Sequence, residues 1–382
     1  MSRTRLLNQT FRGLAYAVVP LLTMHCQSEP ELPPGPGNAT GASTASCTGC
    51  SGGASSRGTT TGIGLGGAAG ALSIGGLAAV AGSTSSSSGV VFGFSCIGVA
   101  DGTLAAWLSS HTVAMAGTWN EGTADDQLSQ TTLRNEYGNW NKPIDVAIGA
   151  IFGDESWAQA AEGQFDARWS QAIDAMKSAW GTRDPALLKV RFAHEFNLDR
   201  SDWRVSGDEV NEFKQAWQRF YTIFKSRLPK ASLVWCPNDG TSGSLGLDVR
   251  KSYPGSDYVD IICIDTYNQY PWVNSKSEFD AKLSGTNSDG SPLGAESWRQ
   301  WAAQQGKPLA IGEWANNGDP GGEGGGGDSP DYIQRFHDWL YQHGGNGPGQ
   351  ITYAVFFNYW TQFQVYPSTM QTNAATRVRS LF

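Results

Sequence analysis

Glu195 and Glu313 are the residues whose surroundings point most directly to chemistry. The first lies in Arg191-Phe192-Ala193-His194-Glu195-Phe196-Asn197, the second in Ile311-Gly312-Glu313-Trp314. Each acid ends an apolar run and has aromatic or amide neighbours. Two carboxyl groups flanking one bond are what hydrolysis of a glycosidic linkage requires. One protonates the leaving oxygen, while the other attacks the anomeric carbon or activates water. In the configuration-retaining version they stand ~5–5.5 Å apart. A single acid of this kind is as readily a structural ion pair as a reacting group. Two of them in such company favour catalysis.

Residues so distant in sequence converge only if repeated elements deliver them to one place. Eight short apolar runs read as strands: Val90–Ser95, Thr112–Gly117, Ile144–Phe152, Leu187–Phe196, Ser232–Pro237, Val259–Tyr267, Leu309–Trp314 and Ile351–Trp360. Several are continuous β-branched and apolar stretches, as parallel strands covered on both faces demand. Helical stripes separate them. Phe165, Trp169, Ile173, Met176 and Trp180 form one, Val210, Phe213, Trp217, Phe220 and Phe224 a second, and Tyr332, Phe336, Trp339 and Leu340 a third. The alternation predicts an α/β fold, a (β/α)8 TIM barrel. A doubly wound open sheet is the runner-up, weakened because no G-x-G-x-x-G follows the first strand.

In such a barrel chemistry sits at the C-terminal strand ends. Strands four and seven, which carry the two acids, face each other. The other ends read Trp119-Asn120-Glu121, Trp235-Cys236-Pro237-Asn238, Asp265-Thr266-Tyr267-Asn268 and Phe357-Asn358-Tyr359-Trp360. With Trp314, these give stacking planes and amide donors, the combination that binds sugar rings and their hydroxyls. Asp154 and Glu155, adjacent and so pointing different ways, are at best cleft-lining. Of the five histidines (His25, His111, His194, His337, His343) one, His194, falls at a rim. No metal cluster and no cofactor is therefore expected, which counts against a metal-dependent barrel hydrolase or isomerase. The net charge of -8 and the lack of a Lys/Arg run make nucleic acid an improbable partner. Cys236 and Cys263, each at the end of an apolar run, read as buried free thiols.

The first part of the chain has a different character. Arg3, Arg5 and Arg12, with the apolar run 13–24, read as a secretory leader too short to span a bilayer. Cys26 is placed like the acylated cysteine of a bacterial lipoprotein. From Gly35 to Gly89 there is no aromatic residue and one charge, Arg57. Such composition cannot offset its ordering entropy by burial. Cys47-x-x-Cys50 within it reads as a local disulfide or an incidental pair. The expected organisation is a leader over 1–26, a low-complexity linker over 27–89 and a catalytic barrel over 90–382. The expected setting is outside the cytoplasm, as a monomer, secreted or tethered to a membrane through the N-terminus.

The run Val190-Arg191-Phe192-Ala193-His194-Glu195-Phe196-Asn197 resembles the acid/base motif of glycoside hydrolase family 26, the family of mannanases, lichenases and some xylanases in the large retaining barrel clan. Leu233-Val234-Trp235-Cys236-Pro237-Asn238, Tyr253-Pro254-Gly255-Ser256-Asp257-Tyr258-Val259-Asp260 with Ile264-Asp265-Thr266-Tyr267, and Lys307-Pro308-Leu309-Ala310-Ile311-Gly312-Glu313 resemble further blocks of that family, in the right order. The resemblance implies that Glu195 is the acid/base and Glu313 the nucleophile. It implies that His194 positions the sugar nearest the cut, that Arg191 supports the nucleophile from beneath and that Tyr267 donates to it. Trp360 would be the strand-eight platform, and Trp235 and Asn238 would line the rim. Glu195 should then have a raised pKa, from burial and from the charge of Glu313. Two segments depart from the family pattern: Leu198-Asp199-Arg200-Ser201-Asp202-Trp203, where Trp203 offers a stacking plane, and the long loop after Glu313. They leave the substrate open between β-mannan and mixed-linkage β-glucan, attacked internally. The contrasting reading is a non-catalytic carbohydrate-binding barrel, which would need neither Glu195 nor Glu313.

Overall fold

The computed structural model describes residues 89–382 apart from position 323. The leader, the linker, Cys26, Cys47 and Cys50 lie outside the described residues. Eight parallel strands close, in chain order, into one barrel: β1 Val91–Ser95, β2 Met115–Trp119, β3 Ile144–Ile148, β4 Leu188–Phe192, β5 Ser232–Trp235, β6 Ile261–Asn268, β7 Leu309–Asn316 and β8 Ile351–Phe356. The predicted alternation is the observed one. The largest differences are at C-terminal strand ends, where apolar sequence runs on after the ladder stops. β4 ends at Phe192, so Glu195 lies in the turn beyond it. β8 ends at Phe356, and Trp360 opens a short helix, Trp360–Phe363.

Strand side chains alternate between the barrel interior and the helix layer. Met115, Val234, Cys236, Ile261, Cys263, Ala310, Tyr353 and Val355 form the inner apolar cluster. Cys236 and Cys263 are joined in a disulfide between β5 and β6, which corrects the free-thiol expectation. Both face inward on neighbouring strands, so closing the barrel brings them together. The opposite parity packs on the helices. Helix Asp166–Trp180 buries Trp169, Ile173, Met176 and Trp180, and helix Val210–Arg227 buries Phe213, Trp217, Phe220 and Phe224. Phe192 on β4 stacks on Phe220 with ring centroids 3.8 Å apart. Burying each such side chain contributes roughly 1.5–3 kcal/mol.

One break in this parity matters for the site. Along β6 and β7, Ile264 pairs with Ile311, but the next residue, Asp265, pairs with Glu313, so Gly312 is an extra residue in β7. A bulge of this kind re-aims the side chains that follow it. Ala310 faces in, and without the bulge Glu313 would face the helices. With it, Glu313 faces in and Trp314 faces out. Glycine is required at the bulge because a Cβ there would lie 2.6 Å from Asp265 Oδ1, 2.8 Å from Cys263 Sγ and 3.0 Å from Arg191 Nη1. Gly312→Ala should therefore cost about 1–3 kcal/mol, seen as a Tm lower by several degrees in calorimetry. An unchanged Tm would mean that the bulge has room to relax.

Candidate active site

Glu313 projects from β7 into the C-terminal mouth of the barrel and is buried. Three donors from three other strands converge on its carboxylate. Trp119 Nε1 on β2 donates to Oε1 at 2.9 Å, and Arg191 Nη1 on β4 donates to the same oxygen at 2.9 Å. The Tyr267 hydroxyl on β6 donates to Oε2. Burial, with the charges of Glu313 and Glu195 next, pushes the Tyr267 phenol well up, so it stays a donor.

Arg191 is fully buried and works as a hub. Its Nε donates to Asp145 Oδ1 on β3 at 2.6 Å, and its Nη1 to Asp265 on β6 at 3.0 and 3.2 Å. The Tyr353 hydroxyl on β8 donates to Asp145 Oδ2 at 2.5 Å. Burial pulls the guanidinium down, but Asp145, Asp265 and Glu313 more than reverse this. Burial and the neighbouring Glu313 push the Asp265 carboxyl well above the usual range, against the pull of Arg191. The donor atoms of His194, Asp265 and Glu313 lie within 4.8 Å of one another. That spacing would suit a metal, but the Arg191 guanidinium already lies against both carboxylates, so the cluster carries its own cation.

Glu195 is built differently. The turn after β4 holds Ala193 at φ 52° and Glu195 at φ 51°, both in the left-handed region. Such residues cost on the order of 1–3 kcal/mol each and persist where their surroundings dictate them. Here the N–H of Ala193 donates to Ile148 O at 3.0 Å and the N–H of Glu195 to Cys236 O at 2.8 Å. The turn thus hangs between β3 and β5. Asn238 Nδ2 donates to Glu195 Oε1 at 2.7 Å, and Arg200 Nη2 forms an ion pair with Oε2. Burial pushes the Glu195 carboxyl up, but Arg200, His194 and the Asn238 amide together pull it net down. The raised pKa expected from the sequence is corrected: the cation five residues further on decides the sign. His194 Nδ1 lies 2.8 Å from Glu121 Oε2, and its Nε2 lies 4.0 Å from Glu313 Oε1. Burial lowers the imidazole pKa, but the Glu121 charge raises it further, for a net increase.

Arg191, His194, Glu195, Asn238, Tyr267 and Glu313 are thus brought into one constellation. Glu195 and Glu313 act on the same neighbours: Arg200 and Tyr267 both feel the charges of both. Trp360 stands at the mouth, 38 % exposed, with φ 46°. Other expected rim residues lie elsewhere. Trp235 faces the helix layer, packed on Tyr253, Trp298 and Trp301, because its neighbour Cys236 takes the inward position. Trp314 packs on Phe336 and Phe356. Trp203 is buried, donating from Nε1 to His194 O at 2.7 Å, and so props the turn rather than offering a stacking plane. Asn197 is fully buried. It brackets the loop after β5, donating to Asn238 O and Gly240 O and accepting from Asn238 N. Trp119 is buried and serves Glu313. Glu155 is tied to Arg168 and to Phe152 N, a structural pairing. Asp145, Tyr353 and Arg200 were not singled out from the sequence. Their types are ordinary, and only inward parity or proximity in the turn marks them.

A closed eight-stranded barrel with an acid pair and aromatics at its C-terminal mouth is an arrangement that can serve glycoside hydrolysis. The model of "Glycosyl hydrolase family 26" matches residues 131–284. The chain is similar to that family over those residues. Over 112 residues it is 26% identical to the "Mannan endo-1,4-beta-mannosidase A and B" of Caldalkalibacillus mannanilyticus, a match covering 27% of this chain and 21% of the relative. The match thus spans about a fifth of that curated relative's length. Among solved structures it is similar to GH26C from Muricauda sp. MAR_2010_75, at 14% identity and TM-score 0.48, covering 76% of this chain and 84% of that one. It is also similar to a GH26 beta-mannanase from Bacteroides ovatus, at 12% identity and TM-score 0.48, covering 77% and 88%.

Removing the hub would leave three buried acids without their shared cation. Arg191→Met should lower the unfolding free energy by about 3–5 kcal/mol at neutral pH, read from urea denaturation midpoints. A loss below 1 kcal/mol would mean that the acids simply take up protons.

Proposed function

We propose that the protein is a retaining endo-β-mannanase in which Glu313 is the nucleophile and Glu195 the acid/base. The observation that carries this reading is the unequal treatment of the two acids. Glu313 is fixed by Trp119, Arg191 and Tyr267, as an attacking oxygen must be. Glu195 sits in a strained turn with an amide on one oxygen and a half-exposed cation on the other. In the first step the Glu313 carboxylate attacks the anomeric carbon, the C–O bond to the leaving sugar breaks, and Glu195 delivers a proton to the departing oxygen. In the second, Glu195 takes a proton from water, which attacks the glycosyl–enzyme ester and releases a sugar of unchanged configuration. His194, next to Glu195 and 4.0 Å from Glu313, is placed to bind the sugar at the cut, and Trp360 to stack beneath it. Mannan is favoured over mixed-linkage glucan by the name of the curated relative. The leader-like residues 1–26 support a further proposal, that the enzyme works outside the cytoplasm.

Proton NMR of fresh β-1,4-manno-oligosaccharide digests should show the β-anomer first. Initial release of the α-anomer would rule out retention. Glu313→Ala should lose on the order of 10^4-fold in kcat. Glu195→Ala should lose far less on an aryl glycoside with a good leaving group than on mannan, because that leaving group needs little protonation. Equal losses on both substrates would remove Glu195 from the acid role.

A further inference from the structure

We infer that Arg200 is a latch on the acid/base: paired with Glu195 it holds the carboxylate form, and it must swing aside before Glu195 can carry the proton that the leaving oxygen needs. The inference rests on the proposed role of Glu195. Both oxygens of Glu195 are engaged, Oε1 by Asn238 and Oε2 by Arg200. A protonated carboxyl needs one oxygen free of a cation, both to bear the proton and to aim it. Asn238 cannot yield easily, because Asn197 fixes its backbone N–H and carbonyl within the loop after β5. Arg200 can yield. Its side chain is 50% exposed, whereas that of Glu195 is 4% exposed. Among the described residues its guanidinium makes no other hydrogen bond or ion pair. It lies in the run Leu198-Asp199-Arg200-Ser201-Asp202-Trp203, the segment that departs from the family pattern.

The latch suits both halves of a two-step reaction. Swung out, it lets Glu195 hold a proton for the first step. Swung in, it favours the carboxylate that accepts a proton from water in the second. The leaving sugar, arriving on the Glu195 side, competes with Arg200 for Oε2, so substrate entry and release of the acid are one event. Arg200 is thus a positioning residue that acts through Glu195.

The consequence is a pH signature. The ionisable groups around Glu195 are His194 and Arg200 from its own turn, Asp239 from the loop after β5, Asp265 and Tyr267 from β6, and Glu313 from β7. Arg200 is the one of these whose charge is half in solvent and removable without emptying the barrel mouth. Activity on an unactivated substrate falls as pH rises through the pKa of the acid. A cation that lowers that pKa moves the alkaline limb of kcat/KM to lower pH.

The test is the pH dependence of kcat/KM on manno-oligosaccharides for the full chain, for Arg200→Met and for Arg200→Lys. Arg200→Met should move the alkaline limb up by about one pH unit or more, and Arg200→Lys should return it most of the way. In the wild type alone, raising NaCl from roughly 0.05 to 1 M should move the limb the same way, since a half-exposed pair is screened. Limbs that coincide in wild type and Arg200→Met, with no salt shift in the wild type, would overturn the latch. Glu195→Gln separates this from failure of the parent reading. If that variant keeps wild-type activity on manno-oligosaccharides, Glu195 is not the acid. If it is inactive while the limb ignores Arg200, only the latch is wrong.

Discussion

The guanidinium of Arg191 is the constraint around which the rest of the barrel mouth is arranged. A fully buried cation is tolerable only if the carboxylates around it offset its desolvation, and three are supplied, Asp145, Asp265 and Glu313, from β3, β6 and β7. Three ionised acids on one cation would leave two negative charges in excess. One of them is relieved where burial and the Glu313 charge push Asp265 well up, so that it tends to hold its proton. Ion networks of this kind are weak evidence for stability, since well-packed apolar side chains of equal volume often do as well. What this one secures is position: the hub fixes Glu313 Oε1 from below, while Trp119 and Tyr267 fix the carboxylate from its flanks.

Reaching that hub required a break in strand regularity. With a strict period of two, Gly312 would face in and Glu313 out. The extra residue in β7 shifts the register by one and puts Asp265 and Glu313 side by side. Glycine is the residue that fits, because the space beside it is already taken by Asp265, Cys263 and Arg191. The same step sends Trp314 outward into the helix layer, where it packs on Phe336 and Phe356. A single inserted backbone unit therefore decides which of two adjacent side chains reaches the site.

This explains what could be read from the sequence and what could not. The order of strands and helices was legible, because long stripes such as Phe213, Trp217, Phe220 and Phe224 carry the helical period over several turns. The acids at strands four and seven were legible because polar residues at the end of apolar runs stand out. Which way each rim residue points was not. Trp235 and Trp314 are rim residues by sequence and core residues in space, since parity and bulges leave no mark on composition. Cys236 and Cys263 met in a disulfide because both face inward on adjacent strands, and linear spacing is silent on that. The sign of the Glu195 shift is hidden for a related reason. Burial and the second acid can be read from the sequence, but Arg200 reaches back from a turn whose path follows from the left-handed backbone at Ala193 and Glu195.

The two acids also differ in how firmly they are held, and the difference suits the roles proposed for them. A nucleophile must keep one position and one protonation state until it attacks, so donors rooted in three rigid strands suit Glu313. An acid/base must change protonation twice in every turnover, and a carboxylate locked by buried strand donors would resist that change. Glu195 is held instead by a loop amide that Asn197 fixes and by a half-exposed arginine, and the arginine can let go without disturbing the barrel. Glu313 is thus held by the sheet and Glu195 by the turns above it. That division follows from the fold: strand ends are fixed by their ladder, while the loops beyond them are free to exchange partners.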